Sequence, residues 1–230
     1  MHRLAGEEGA FCETSLTETL QLPDGLKFVE GFGNTKITNI QFPSTLEEIG
    51  YEAFNACSSL LCEISLPHSL KKIGEAAFAG TAIRGNLVLP DSLECIGRYA
   101  FTGCHGLTGS LTIPSGVQVI REGAFSYSGF NGNLTLPMGL TEIHQKAFWS
   151  TKFKGELNIP STVIAIGSSA FFETEFSGKL VLPKELILLE DGAFERCKRL
   201  SGIVEIPENI SAIPPLLFAN CYNIEGVVLH

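Results

Sequence analysis

The amino-acid sequence predicts an α/β solenoid, one elongated stack of similar coils, on three observations. Prolines recur as Pro23, Pro43, Pro67, Pro90, Pro114, Pro137, Pro160, Pro183 and Pro207, spaced by 20 to 24 residues. Phenylalanines keep the same beat, from Phe54, Phe78 and Phe101 through Phe125, Phe148, Phe171 and Phe194 to Phe218. A large aliphatic residue stands five and eight positions before each of these, from Ile49 and Leu46 to Ile213 and Ile210.

Residues 155–174 show what one coil does. Leu157 and Ile159 alternate with Asn158 and stop at Pro160, which reads as a very short strand. Val163, Ile166, Ala170 and Phe171 then follow at the spacing of a turn-and-helix stripe, so the period changes from two to about 3.6 within the coil. A fixed period in this range with leucines at strand spacing is the mark of a leucine-rich solenoid. One coil cannot bury its own apolar face, whereas coils stacked about 4.8 Å apart join their strands into a parallel sheet and their inward residues into one core. The expectation is one short parallel strand per coil of 23–24 residues, with short helical or 3-10 turns on the return. A single domain over 1–230 follows, irregular over 1–43, regular over 44–207, and ending in an atypical or truncated coil over 208–230.

Single columns of the repeat carry further readings. The position after the repeat aliphatic is Gly50, Gly74, Gly97 and Gly167 in four coils but Pro214 in another; proline fixes φ near −65°, so the slot wants smallness, not a left-handed backbone. The residue before the phenylalanine is alanine in seven coils, which leaves room for a methyl group only, and Leu217 breaks the column. Cys57, Cys104, Cys197 and Cys221 each stand three residues after the phenylalanine, where other coils place Thr81, Ser128, Thr151 and Thr174. This slot takes a small, weakly polar, buried side chain. Every full interval with Cys there is 24 residues long and every one with Ser or Thr is 23, so thiol and hydroxyl set two different turns. Cys197 and Cys221 occupy consecutive coils, near enough for a disulfide, although parallel inward side chains seldom meet the required torsion. The odd total of seven leaves at least one free thiol.

Composition bounds the function. No run of 18 apolar residues exists, so no membrane insertion is expected. The net charge of −9 argues against nucleic acid as a partner and favours solubility. Residues 1–11 lack the succession of a signal peptide and enter mid-repeat at Gly9, Ala10 and Phe11, which suggests a piece of a longer protein or one whose export signal lies elsewhere. Residues 29–32 replace the longer turn, and that coil is expected to be tighter and poorer in helix.

Candidate chemistry is sparse. His2, His68, His105, His144 and His230 fall in unrelated slots with no paired spacing for zinc, and neither a nucleophile elbow nor a phosphate-cradling loop is present. No catalytic, cofactor or metal residue is expected. The outward strand column (Gln21, Gln41, Ser65, Val88, Thr112, Thr135, Asn158, Val181, Glu205) reads as a solvated face without aromatic anchors. The turns differ: Trp149 and Phe172 follow the repeat phenylalanine in consecutive coils, Tyr127 lies one coil away, and Ile164, Ile187 and Leu188 stand where earlier coils have Glu47, Lys71 or Glu94. These six are the partner-binding candidates; the alternative is that Trp149 and Phe172 fold back over the turn or cover a neighbouring domain of the full protein. Phe130, Phe153 and Phe176 fill the column of Leu60 and Leu107 and belong to the core.

The succession Leu89-Pro90, Leu93, Ile96-Gly97, Ala100-Phe101 and Cys104 resembles the BspA-like class of leucine-rich repeats, over roughly residues 9–230. The resemblance implies a right-handed solenoid, with strands on one face and short helical turns on another, and no shared catalytic residue or cofactor. It also implies a cell-surface or secreted protein, since some members adhere to host matrix proteins or to other bacteria. The expected function is a non-enzymatic adhesion or recognition module with a protein or surface-glycan partner; the alternative is a structural spacer or intracellular scaffold without a ligand.

Overall fold

The computed structural model describes the backbone of Arg3–Leu4 and residues 10–229. The reading of residues 1–9 lies otherwise outside the described residues, as do His2 and His230. The chain is a parallel β-solenoid of about nine turns, and its most regular ladder is not the one expected. Two-residue strands at the aliphatic before the glycine slot pair coil to coil: Arg3–Leu4, Phe28–Val29, Glu48–Ile49, Lys72–Ile73 and Cys95–Ile96 form one sheet, and Val119–Ile120, Glu142–Ile143, Ala165–Ile166 and Leu188–Leu189 a second. The segment before each proline forms strands only in places, such as Thr17–Gln21 with Lys36–Gln41 and Leu200–Ile206 with Asn223–Leu229; residues 157–159 are unpaired. Left-handed glycines (Gly85, Gly109, Gly155, Gly178, Gly202) bend the chain as it enters this segment, and the proline that ends it lacks a donor. Each proline instead opens a β-turn, as where the Leu93 N–H donates to the Pro90 carbonyl at 3.0 Å.

The described residues contain no helix, so the expected helical returns are not found. The reason is local. In all eight coils from Phe54 to Phe218, the residues two before and two after the repeat phenylalanine have φ between 47° and 70° (Glu52 and Ala56, Lys146 and Ser150, Leu216 and Asn220). A left-handed residue at every fourth position forbids a right-handed helical run. The N–H groups alternate instead. Phe54 and Ala56 donate to Ala77 and Ala79 of the next coil at 2.8 and 2.7 Å, while Asn55 and Cys57 close turns onto Glu52 and Phe54 at 3.1 and 3.2 Å. The backbone that an isolated turn leaves unpaired is thus satisfied by the neighbouring coil.

The columns are the core. Phenylalanines from Phe11 through Phe32 to Phe218 stack with ring centroids 4.9–5.9 Å apart, and Phe130, Phe153 and Phe176 form a second stack edge-on to the first. The coil of residues 29–32 places Phe32 only three positions after Val29, against five from Ile49 to Phe54, and so joins the stack with less chain. The glycine slot is small for a steric reason: a Cβ on Gly74 would lie 2.5 Å from the Gly50 carbonyl oxygen, and one on Gly97 2.4 Å from the Glu75 nitrogen. None of the four glycines has a left-handed φ.

The Thr/Cys slot separates into two turns. Thr81, Thr151 and Thr174 donate to the carbonyl of the phenylalanine in their own coil at 2.8–3.0 Å. Cys57, Cys104, Cys197 and Cys221 reach back to the phenylalanine carbonyl of the preceding coil at 3.0–3.1 Å. After the thiol an extra tight turn absorbs the added residue, with the His105 N–H on the Gly103 carbonyl, and returns Leu107 to the core. All seven cysteines are free, Cys197 and Cys221 included. Burial pushes the Cys104 and Cys197 thiols up to about 12 and that of Cys221 to about 11, so these groups are inert structural donors.

Candidate partner-binding surface

Tyr127, Trp149 and Phe172 form one row across three coils. Each sits on the turn that follows the repeat phenylalanine, and the turns are joined edge to edge: the Tyr127 N–H donates to the Trp149 carbonyl at 2.7 Å and the Ser150 N–H to the Phe172 carbonyl at 2.8 Å. The rings follow the backbone, with centroids 5.9 Å apart for Tyr127–Trp149 and 4.9 Å for Trp149–Phe172. Tyr127 is 48% exposed; Trp149 and Phe172 are half-buried. Two cations cover the row. Lys146 Nζ lies 4.7 Å from the Trp149 ring centre and Arg196 Cζ 5.4 Å from that of Phe172, contacts worth about 0.5–1 kcal/mol each at exposed sites. The surface is therefore a strip of aromatic edges and cationic heads.

Sequence reasoning missed both cations. The signal was present in the columns: Lys146 holds the left-handed position two before Phe148, and Arg196 the left-handed position two after Phe194, the slot Tyr127 fills in its own coil.

Ile164, Ile187 and Leu188 form a separate row on the short-strand face, earlier along the coil. The Ile187 and Leu188 N–H groups both donate to the Ile164 carbonyl, at 2.9 and 3.1 Å, and the three side chains are 36%, 60% and 47% exposed in chain order. The six candidates thus make two strips on different segments of the coil. Toward the N-terminus the same face is charged and self-neutralising: Lys27 and Lys71 flank Glu47 at 2.7 and 3.4 Å, and Lys72 pairs with Glu48 at 2.7 Å. The pair of lysines, first through the Lys27 hydrogen bond, holds the Glu47 carboxyl below its usual range.

A polar clasp that the sequence did not suggest lies between the strips. Glu122 accepts from Arg98, from the Tyr99 hydroxyl and, at 2.5 Å, from Gln145 Nε2. Burial pushes the Glu122 carboxyl up, but these three partners together pull it lower still, below its ordinary value; the hydrogen bond to Glu122 raises the Tyr99 phenol. The clasp ties three coils together. A groove of about 620 Å³ near the last coils is rimmed by Lys184, Glu185 and Glu208, charges of both signs. Among the described residues no three His, Cys, Asp or Glu side chains gather as metal ligands, and no helix is long and apolar enough to cross a membrane.

A coil closed by turns, with core columns of Phe, Ile and Leu and an inert thiol slot, defines a leucine-rich repeat scaffold. The match to the BspA type leucine rich repeat region, in six copies over residues 7–108 and 141–230, shows that the chain belongs to that family. No curated protein matches. Among solved structures it is similar to a leucine-rich repeat protein from Bacteroides ovatus, at 22% identity and a TM-score of 0.76, over 99% of this chain and 58% of that one. It is also similar to a leucine rich cell surface protein from Faecalibacterium prausnitzii (25% identity, TM-score 0.62, 98% and 70% of the two chains). A third likeness is the pneumococcal vaccine antigen PcpA (18% identity, TM-score 0.55, 89% and 60%). The chain spans about 58% of the length of the Bacteroides protein.

Proposed function

We propose that the chain is a non-enzymatic recognition module of a cell-surface or secreted protein, binding a protein or surface glycan through its turns. The observation that carries this reading is the row Tyr127–Trp149–Phe172 with Lys146 and Arg196, because aromatic and cationic anchors held on rigid backbone are what binding hot spots are made of. The description of the Faecalibacterium relative as a cell surface protein and of PcpA as a vaccine antigen supports the location. The supporting experiment is a binding screen against extracellular-matrix proteins and surface glycans. A partner held by the wild type should bind the folded Trp149→Ala/Phe172→Ala double variant at least about tenfold more weakly, the loss of about 1.4 kcal/mol or more expected of two anchors.

A second reading, a spacer that displays other domains and binds nothing, is favoured by the half-burial of Trp149 and Phe172 and by the cations over them. Absence of any partner in the screen would support it.

A further inference from the structure

The short-strand face changes character along the stack, and one dent in it has a definite chemistry. In three successive coils the outward strand position is Glu142, Ala165 and Leu188, directly paired in register, and the slot two residues later is His144, Gly167 and Glu190. The middle coil is small at both positions, so its neighbours stand as walls around a cleft of about 290 Å³, room for one side chain. One wall carries His144, whose Nε2 meets the Oε2 of Glu142 at 2.7 Å outside the lining, and Glu122, already held by Arg98, Tyr99 and Gln145; the other carries Glu190, whose Oε2 accepts the Ser168 N–H at 2.8 Å. In Glu142 and Glu190 Oε1 is left over, and among the described residues neither has a lysine or arginine within ion-pair distance. This is the opposite of the Lys27–Glu47–Lys71 region, where the stack neutralises itself. Beside the cleft runs the exposed apolar ridge of Ile164, Ile187 and Leu188, with Leu188 belonging to both.

We propose that this cleft and ridge dock a protein segment that presents a lysine next to an aliphatic residue. The lysine enters over Ala165 and Gly167, placing its ammonium on the free oxygen of Glu190 with the Glu142 carboxylate beyond His144 adding to the negative field, and the aliphatic side chain lies along Ile164, Ile187 and Leu188. Charge complementarity selects the cation, and burial of the ridge supplies the affinity. The occupant deepens the recognition reading above and rests on it, but uses a face other than the aromatic row.

The test is an NMR titration of the isotopically labelled full chain with acetyl-Leu-Lys-Leu-Lys-amide, against acetyl-Leu-Glu-Leu-Glu-amide as control. The expected result is saturable shifts at the Ala165, Gly167, Leu188 and Glu190 amides with the lysine peptide alone. Affinity should fall by about tenfold in Ala165→Arg, which fills the cleft with its own cation, and in Leu188→Ser, a change at an exposed side chain that keeps the test valid should the first variant misfold. No shift at these amides, equal shifts with the glutamate peptide, or wild-type affinity in both folded variants overturns the proposal. Dimerisation of the wild type that Ala165→Arg abolishes would put a second copy on this face and overturn it equally. The two readings fail separately: a partner captured in the screen of matrix proteins and glycans, together with no lysine-peptide shifts at these amides, removes the cleft and leaves the recognition reading standing, whereas no captured partner removes the recognition reading.

Discussion

The buried thiols show how one side chain sets the length of a coil. A hydroxyl is short and bonds within its own coil, as Thr81 does to the Phe78 carbonyl, whereas Cys104 reaches that same carbonyl from the coil beyond, at 3.1 Å. Desolvation keeps this thiol protonated, with its pKa raised from 9.0 to about 12. Two outcomes are expected. A water-soluble disulfide reagent should titrate Cys12 readily and the half-buried Cys62 and Cys95 slowly, and the four slot cysteines only after unfolding, counted by released chromophore. Stability should also depend on pH in the alkaline range. The unfolded chain loses this proton near 9.0 and the folded one only near 12, so the contribution is intact below the first value and is lost as pH rises toward the second, which melting curves would follow.

At the scale of the coil, the pairing of thiol with an extra residue makes a reciprocal prediction. Replacing Cys104 by Thr, or deleting His105, each puts one component of a 24-residue coil into the wrong turn and should cost about 1–3 kcal/mol. The two together convert it to a 23-residue coil like those of Thr151 and Thr174, so the double change should cost less than the sum of the singles, measured by denaturant unfolding. The two turn classes were legible in the sequence, because interval length and residue type varied together. The same columns located the stacked phenylalanines, the glycine slot and the row of Trp149 and Phe172. What misled was the spacing of Val163, Ile166, Ala170 and Phe171, which suits a helical stripe and a closed coil equally. The left-handed positions that decide between them are filled by Glu52, Ala76, Tyr99 and Lys146 as well as by glycine, and such residues carry no warning of a positive φ. They are held there by hydrogen bonds that their N–H groups donate to carbonyls of the next coil, a tertiary cause that no single coil displays. The cations over the aromatic row were hidden for the same reason, since Arg196 meets Phe172 only once the coils are stacked.

Across the molecule, stability is shared between neighbouring coils, and position in the stack should govern the cost of a core substitution. Phe125 is fully buried and stacks on Phe101 and Phe148, both at 5.7 Å, with Phe130 against its edge. Phe218 is half-buried and stacks on Phe194 at 5.9 Å. Phe125→Ala should therefore cost about 3–5 kcal/mol and Phe218→Ala clearly less, read from urea unfolding. The scaffold that results is rigid and displays its variable side chains in rows, which is what allows three aromatic residues from three coils to act as one surface. That surface contains its own reporter, because Trp149 is the only tryptophan in the chain. The most direct measurement is the emission of Trp149 during titration with a glycan or tryptophan-free protein partner found in the screen. A saturable change in its intensity or wavelength, absent when Arg196 and Lys146 are replaced by Ala together with loss of affinity, is the result expected if partners bind on the turns. Saturation by an independent binding signal with the Trp149 emission unchanged would contradict it.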